Sequence, residues 1–313
     1  MLQLGVENLM SFEDKFNKIK TVVKQDLDNL EQQIAGLFSD ENPLSKDLTA
    51  FLTAPSKRLR PMLGFLFINA LFGKLNEKQR EVLLAVELIH SATLIHDDVI
   101  DEAETRRTQE TLNVKFNDNL AVVAGDYLLS VAMEKVINTG SIEVIKLCTS
   151  ALKSTCMGEI NQYFAKFNIT SIEDYVVKSK EKTALLFEIA VLSPLLLNEN
   201  EIDETTKQKA IDFSQNFGIA FQVRDDLINV LHSGNDTELG IYTAPVIFAY
   251  QENKNIIHEK NIADAIQSTK GIEKTKDLMD NYFNKSVSAI EGFKNNSYKQ
   301  AMVALVDLLR ENL

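Results

Sequence analysis

Apolar residues recur along this chain three and four positions apart in roughly a dozen segments, whereas the strict alternation of a strand is scarce. The pattern predicts an all-α protein. Only five prolines and twelve glycines interrupt it. Pro43, Pro55, Pro61 and Pro245 fall where the spacing predicts helix boundaries; Pro194, inside the apolar run AVLSPLLL, is expected to kink or end its helix. No low-complexity linker or internal repeat breaks the pattern. With 313 residues and 45% hydrophobic content, the chain can bury a sizeable core, and residues 1–313 read as one domain whose first ten residues are poorly ordered, with Met10 as an alternative start.

Two helical segments end in acid. Residues 90–107 read HSATLIHDDVIDEAETRR, in which Asp97 and Asp101 stand four apart and share a helix face with His90 and Leu94. Val86, Ile89, Thr93 and Ile100 mark this helix as buried. Carboxylates so placed repel, and a divalent cation is the natural remedy; oxygen-only donors favour Mg²⁺ or Mn²⁺ over Zn²⁺. Mg²⁺ leaves most of its positions to water and phosphate, and the planar forks of Arg106 and Arg107 suit diphosphate. Residues 217–229, FGIAFQVRDDLIN, repeat the arrangement with Asp225 and Asn229. If the two helices line one cavity, their ligands can surround a diphosphate and ease loss of the leaving group. Asn229 brings a neutral oxygen where a carboxylate would add charge.

These motifs resemble the trans-polyprenyl diphosphate synthase family, in family order over residues 57 to 245. DDVID at Asp97–Asp101 matches the first aspartate motif, KRLRP at Lys57–Pro61 the basic motif, KTALLF at 182–187 the KTA motif and Phe221-Gln222 the pair before the second aspartate motif; GEINQ at 158–162 also fits. The resemblance implies a terpenoid-synthase helical bundle with a central substrate cavity. It implies that Lys57, Arg60, His90 and Arg107 hold isopentenyl diphosphate, with Arg58 in the same binding set. Arg106, Lys182 and Thr183 would contact the allylic diphosphate beside Phe221 and Gln222. Asp97, Asp98, Asp101 and Asp225 would be the catalytic acids, and Asp97, Asp101, Asp225 and Asn229 the metal ligands. The implied reaction is Mg²⁺-dependent head-to-tail prenyl transfer: an allylic cation forms where water is excluded, the double bond of isopentenyl diphosphate attacks it, and a proton leaves to the departing diphosphate.

The chain departs from the pattern after Asn229. The family follows with a lysine-bearing loop and a segment like DLxxGKxTLP; here VLHSGNDTELGIYTAP is shorter, and Ile241 stands at the later lysine position. Two basic contacts are lost. Arg224 is a candidate to compensate, or an ordinary ion-pair partner. Product length in the family depends on the residues four and five before the first aspartate. Here they are the small Thr93 and Ala92, which favours a long all-trans product for quinone side chains, with Val144 and Cys148 as candidates for a lower floor. The alternatives are a farnesyl or geranylgeranyl diphosphate synthase and a non-catalytic partner subunit; a terpene cyclase would not need KRLRP, His90 and paired arginines.

A net charge of −12 argues against nucleic acid as partner. No apolar run approaches the ~20 residues that span a bilayer, and the start MLQLGVENLMSFEDKF lacks a signal-peptide pattern, so a cytoplasmic protein with at most transient membrane contact is expected. Cys148 and Cys156, eight apart on one predicted helix, read as reduced core cysteines. The family resemblance further implies a homodimer.

Overall fold

Asn76 and Gln79 begin the helix of the first acidic motif by capping each other: the Asn76 side chain accepts from the Gln79 N–H at 2.9 Å, and Gln79 Oε1 accepts from the Asn76 N–H at 2.8 Å. The helix Glu77–Ile100 that follows buries Val82 to Ile89 almost without interruption. The computed structural model describes residues 11–38, 43–107, 109–200, 202–232 and 235–313. The expectations for residues 1–10 lie outside these. Among the described residues the only strands are Thr105–Arg106 and Gln109–Glu110, an antiparallel pair of two residues each. The rest is helix and connection, as the apolar spacing predicts.

Close contacts divide the chain into two compact units. The first comprises Lys20–Cys148 with Ala190–Ile202. Within it, the helix Leu59–Phe72 is apolar on every side and buries most of its residues, which a central helix requires. Gly64 lets its neighbours approach. A Cβ there would come within 2.4 Å of Leu83 Cδ2 and 2.5 Å of the Ala190 carbonyl oxygen. That carbonyl is the one Pro194 deprives of its helical donor, because proline has no N–H to offer the residue four before it. The helix Leu185–Leu196 ends two residues beyond Pro194, and its final carbonyls find donors elsewhere in this unit: Gln79 Nε2 donates to Pro194 O at 2.8 Å and Asn76 Nδ2 to Leu197 O at 3.0 Å. One cap therefore serves two helix ends.

The second unit comprises the segment ending at Ile19, Thr149–Ile189 and Asp203–Leu313. The helix Glu204–His232 packs along Gly271–Ala289. Phe213, Phe217 and Phe221, spaced by four, stack as a ladder, and Phe187 meets two of them edge-on with centroids at 5.1 and 5.5 Å. Gly218 allows close approach here too, since a Cβ would lie 2.5 Å from Ala184 Cα. The second aspartate motif is thereby held against the KTA segment.

Two expectations are corrected, and Arg224 takes the second of its two readings. Ile100 is 54% exposed at the last position of its helix, on a different face from the buried Asp98. Cys156 is exposed on the helix Ile142–Ala165, while Cys148 is buried; eight residues of helix turn them to different faces, and both are free thiols. Burial pushes the Cys148 thiol up to about 11, so it is inert. Arg224 is a structural clamp: its Nε donates to Leu309 O at 2.8 Å and its Nη2 to Asn312 O at 2.5 Å, tying off the end of the helix Ser297–Glu311. It also pairs with Asp225 at 3.3 Å.

Candidate active site

In the first unit the acidic helix stops where its ligands are needed. Asp101 caps it, donating its N–H to Asp97 O at 2.8 Å, and Glu102 then takes a left-handed backbone, φ 51°. Asp97 is half-buried and Asp101 exposed on adjacent turns. Asp98, expected among the catalytic acids, faces inward instead. It is 2% exposed, and its Oδ1 accepts from Arg106 Nε at 2.6 Å and pairs with Nη2 at 2.5 Å. An i+1 neighbour on a helix points to a different face, so Asp98 acts by orienting Arg106. The short hairpin returns Arg106 to the aspartates that precede it. Arg107 follows in a left-handed conformation, φ 51°. Such a backbone costs a non-glycine residue of the order of 1 kcal/mol and is found where surroundings enforce it.

Arg58 adopts the same strained region, φ 50°, at the start of the helix Leu59–Phe72. Expected to bind substrate, it is 3% exposed and fully engaged. Nε donates to Glu31 at 2.8 Å, Nη1 to Glu87 at 2.7 Å, and Nη2 to Glu31 at 3.0 Å and to Leu52 O at 2.5 Å. Burial works against its charge, but the two carboxylates outweigh that and raise its pKa. Its role is to anchor KRLRP, leaving Lys57 exposed and Arg60 half-buried to either side.

His90 sits in the midst of these cations. Its Nδ1 is buried without a hydrogen-bond partner. Burial holds its pKa well below the usual histidine value, and the charges of Arg60, Arg107, Arg106 and Arg58 push it the same way. The imidazole is therefore neutral among cationic neighbours. Between the lowered folded pKa and the ordinary 6.5, the unfolded chain binds a proton that the folded chain refuses. Stability is expected to fall as pH drops below about 6.5, by up to about 1.4 kcal/mol per pH unit. In His90→Gln that slope should be shallower. Urea unfolding of both proteins from pH 7 to pH 5 checks it; parallel curves would show that His90 titrates normally.

In the second unit the KTA segment is a π-helical turn, Lys180–Ala184, inserted between Ile172–Ser179 and Leu185–Leu196. Such turns re-aim side chains and recur at functional positions. Lys182 pairs with Glu159 of GEINQ, and a Cβ at Gly158 in that motif would lie 3.4 Å from the Lys182 backbone N. Thr183 Oγ1 donates to Gln222 Oε1 at 2.5 Å, Gln222 Nε2 donates to Asp226 Oδ1 at 2.7 Å, and Tyr175 Oη donates to Asp226 Oδ2 at 2.6 Å. Burial raises the pKa of Asp226 and, further, that of Tyr175. Asp225 and Asn229, four apart on the same helix, are half-buried. Phe221 belongs to the aromatic ladder. Glu31, Glu87, Glu159 and Tyr175 had no assigned role in the sequence; only GEINQ carried a signal, and it named no partner for Glu159.

Among the described residues no group of three or more His, Cys, Asp or Glu side chains forms a cage for a metal. The oxygen donors come in twos, Asp97 with Asp101 and Asp225 with Asn229, which fits a hard ion that shares its coordination with phosphate.

An all-helical chain with aspartate pairs at two helix ends and a cluster of arginines around a neutral histidine defines a diphosphate-handling transferase. The chain belongs to the polyprenyl synthetase family, whose model matches residues 41–282. It is 32% identical over 311 residues to a prenyl transferase of Cyanidium caldarium, covering 92% of this chain and 96% of that one. Solanesyl diphosphate synthase 1, chloroplastic, of Arabidopsis thaliana is 31% identical, covering 91% and 76%. The fold matches the crystal structure of heptaprenyl diphosphate synthase from Staphylococcus aureus at a TM-score of 0.86 and 24% identity, covering 92% of this chain and 98% of that one. The protein is a prenyltransferase, of a family that uses isopentenyl and allylic diphosphates.

Proposed function

We propose that this enzyme condenses an allylic diphosphate with isopentenyl diphosphate, head to tail, to a long all-trans polyprenyl diphosphate. What carries the reading is the meeting, within one compact unit, of the aspartate face Asp97–Asp101 with Arg60, neutral His90 and Arg107. Relatives named solanesyl and decaprenyl diphosphate synthase, in Arabidopsis thaliana and Dictyostelium discoideum, support the chain length. The family match runs through both compact units, which supports 1–313 as one functional domain.

Lys57, Arg60, His90 and Arg107 hold the diphosphate of isopentenyl diphosphate and fix its double bond in place. Arg106, oriented by Asp98, and Lys182 with Thr183 bind the allylic diphosphate. Charge neutralisation of the leaving group is the chemistry Mg²⁺ supplies when bound by Asp97, Asp101, Asp225 and Asn229. The arginines and Lys182 stabilise the same charge, and the proton lost after C–C bond formation passes to the released diphosphate. Ala92 is buried and Thr93 Oγ1 donates to His90 O at 2.8 Å, and the small size of both side chains supports the long-product reading. We place the enzyme in the cytoplasm, where its two free cysteines stay reduced, and read it as a homodimer, supported by the exposed Val122, Val123 and Tyr127 on the helix Asp118–Asn138. No described helix is long and apolar enough to cross a membrane.

Purified protein incubated with both substrates and Mg²⁺ is expected to give a ladder ending at a long product by mass spectrometry. Ala92→Phe should shorten that product by several isoprene units. An unchanged ladder would remove the argument from small side chains, and no turnover with substrate bound would point to a partner subunit, as the name heptaprenyl diphosphate synthase component 2 indicates for a Geobacillus stearothermophilus relative.

A further inference from the structure

Four side chains from three helical elements of the second unit join in one chain of hydrogen bonds. Tyr175, on the helix Ile172–Ser179, donates its O–H to Asp226 Oδ2 at 2.6 Å. Gln222 Nε2 donates to Asp226 Oδ1 at 2.7 Å, and Thr183 Oγ1 donates to Gln222 Oε1 at 2.5 Å. Tyr175 and Asp226 are 1% and 6% exposed, so bulk water cannot replace either bond. The charge of Lys178 favours the carboxylate, and that of Asp225 opposes it.

Asp226 fixes the direction of the chain. A carboxylate accepts and cannot donate, so Gln222 offers it the amide nitrogen and turns its carbonyl oxygen to Thr183. Thr183 lies in the π-helical turn Lys180–Ala184, an uncommon geometry. Two contacts with the helix Glu204–His232 hold that turn: the Thr183–Gln222 bond, and the packing of Ala184 on Gly218. A buried charge at 226 costs stability that an apolar residue of similar volume would not. What the acid adds is orientation, because it takes a donor on each oxygen and so sets where Gln222 points. Tyr175 supplies one of those two donors; without it a buried carboxylate oxygen loses its partner and the acid is no longer fixed.

We propose that Tyr175, which belongs to none of the motifs above, is a positioning residue for the allylic diphosphate site. Through Asp226 and Gln222 it holds the KTA turn in register with the second aspartate motif, and so sets Lys182 relative to Asp225 and Asn229. It touches no substrate. The proposal rests on the prenyltransferase reading given above.

The test is a double-variant cycle of Tyr175→Phe and Thr183→Val, the two ends of the chain, with Thr275→Val as control. The buried Thr275 hydroxyl donates to Gly271 O at 2.7 Å on the helix Gly271–Ala289, outside the chain, so its loss lowers stability without touching the site. Tyr175→Phe should lower kcat/KM for the allylic diphosphate about ten- to a hundredfold, the usual cost of removing a group that orients a ligating residue, and leave KM for isopentenyl diphosphate unchanged. Binding of inorganic pyrophosphate with Mg²⁺, measured calorimetrically where every variant is folded, should weaken by a similar factor. Because both ends act through one chain, the double variant should bind within about twofold of Thr183→Val alone. Thr275→Val should bind and turn over like the parent despite a lowered melting temperature. Parent-like affinity and turnover in Tyr175→Phe would overturn the proposal. So would losses that multiply in the double variant, or an equal loss in Thr275→Val, either of which marks Tyr175 as a packing residue. If the parent protein forms no prenyl product, the prenyltransferase reading fails by itself, and the pyrophosphate titrations still decide the role of Tyr175.

Discussion

Asp97→Ala is expected to lower kcat about a thousandfold or more while the protein stays folded. Asp97 is half-buried on the last turn of its helix, and with Asp101 it forms the negative face on which the first metal pair depends. Removing one preorganised charge at a leaving group costs about 10²–10³ in rate, and the loss of a metal ligand adds to that. Asp98→Asn should behave differently. Asp98 touches Arg106 and lies 2% exposed, so its loss should act through a misplaced arginine and fall mainly on the allylic KM. Single-turnover rates with saturating metal separate the two. A loss below tenfold in Asp97→Ala would sink the metal assignment.

Arg58→Met should destabilise the fold by about 3–5 kcal/mol, since it strands the Glu87 carboxylate in the interior without its partner. The side chains of Arg58 and Glu87 are 1% and 3% exposed and bonded at 2.7 Å. For a chain of this size the melting temperature should fall by about 5–8 °C. Activity at a temperature where the variant remains folded should drop less than in Asp97→Ala, because Arg58 holds Lys57 and Arg60 in place without touching substrate. Replacing Glu87 by methionine as well should recover part of the stability, since an apolar pair of similar volume avoids the desolvation cost of the buried ions. A melting temperature within 2 °C of the parent for Arg58→Met would show that Glu87 is solvated or protonated, contrary to the burial seen here.

Much of the site was legible because its chemistry is written in short spacings. Asp97 and Asp101 share a face by helix periodicity alone, and the order of the motifs from Lys57 to Pro245 carried the family. What could not be read was which members of a motif reach outward. KRLRP lists three cations in four residues; only the fold turns Arg58 toward Glu31 and Glu87 and leaves Lys57 at the surface. The same holds for Asp98 within DDVID, and for Arg224, whose partners are carbonyls 85 and 88 residues away in the chain. The exposure of Cys156 and Ile100 escapes the sequence for a related reason, since apolar type says nothing of whether another element arrives to cover a residue.

The sequence by itself determined the helical class, the positions of its breaks at proline, the two acid-bearing helix ends and the kind of anion they suit. These follow from local rules: periodicity, the missing N–H of proline, and the charge and reach of side chains within two turns. Only the tertiary structure decided that His90 is a neutral group ringed by arginines, that Lys182 emerges from a π-turn beside Glu159, and that Tyr175 is linked to Thr183 through Asp226 and Gln222. Burial, and with it the cost of every charge, is set by residues distant in the chain, and no local pattern contains it.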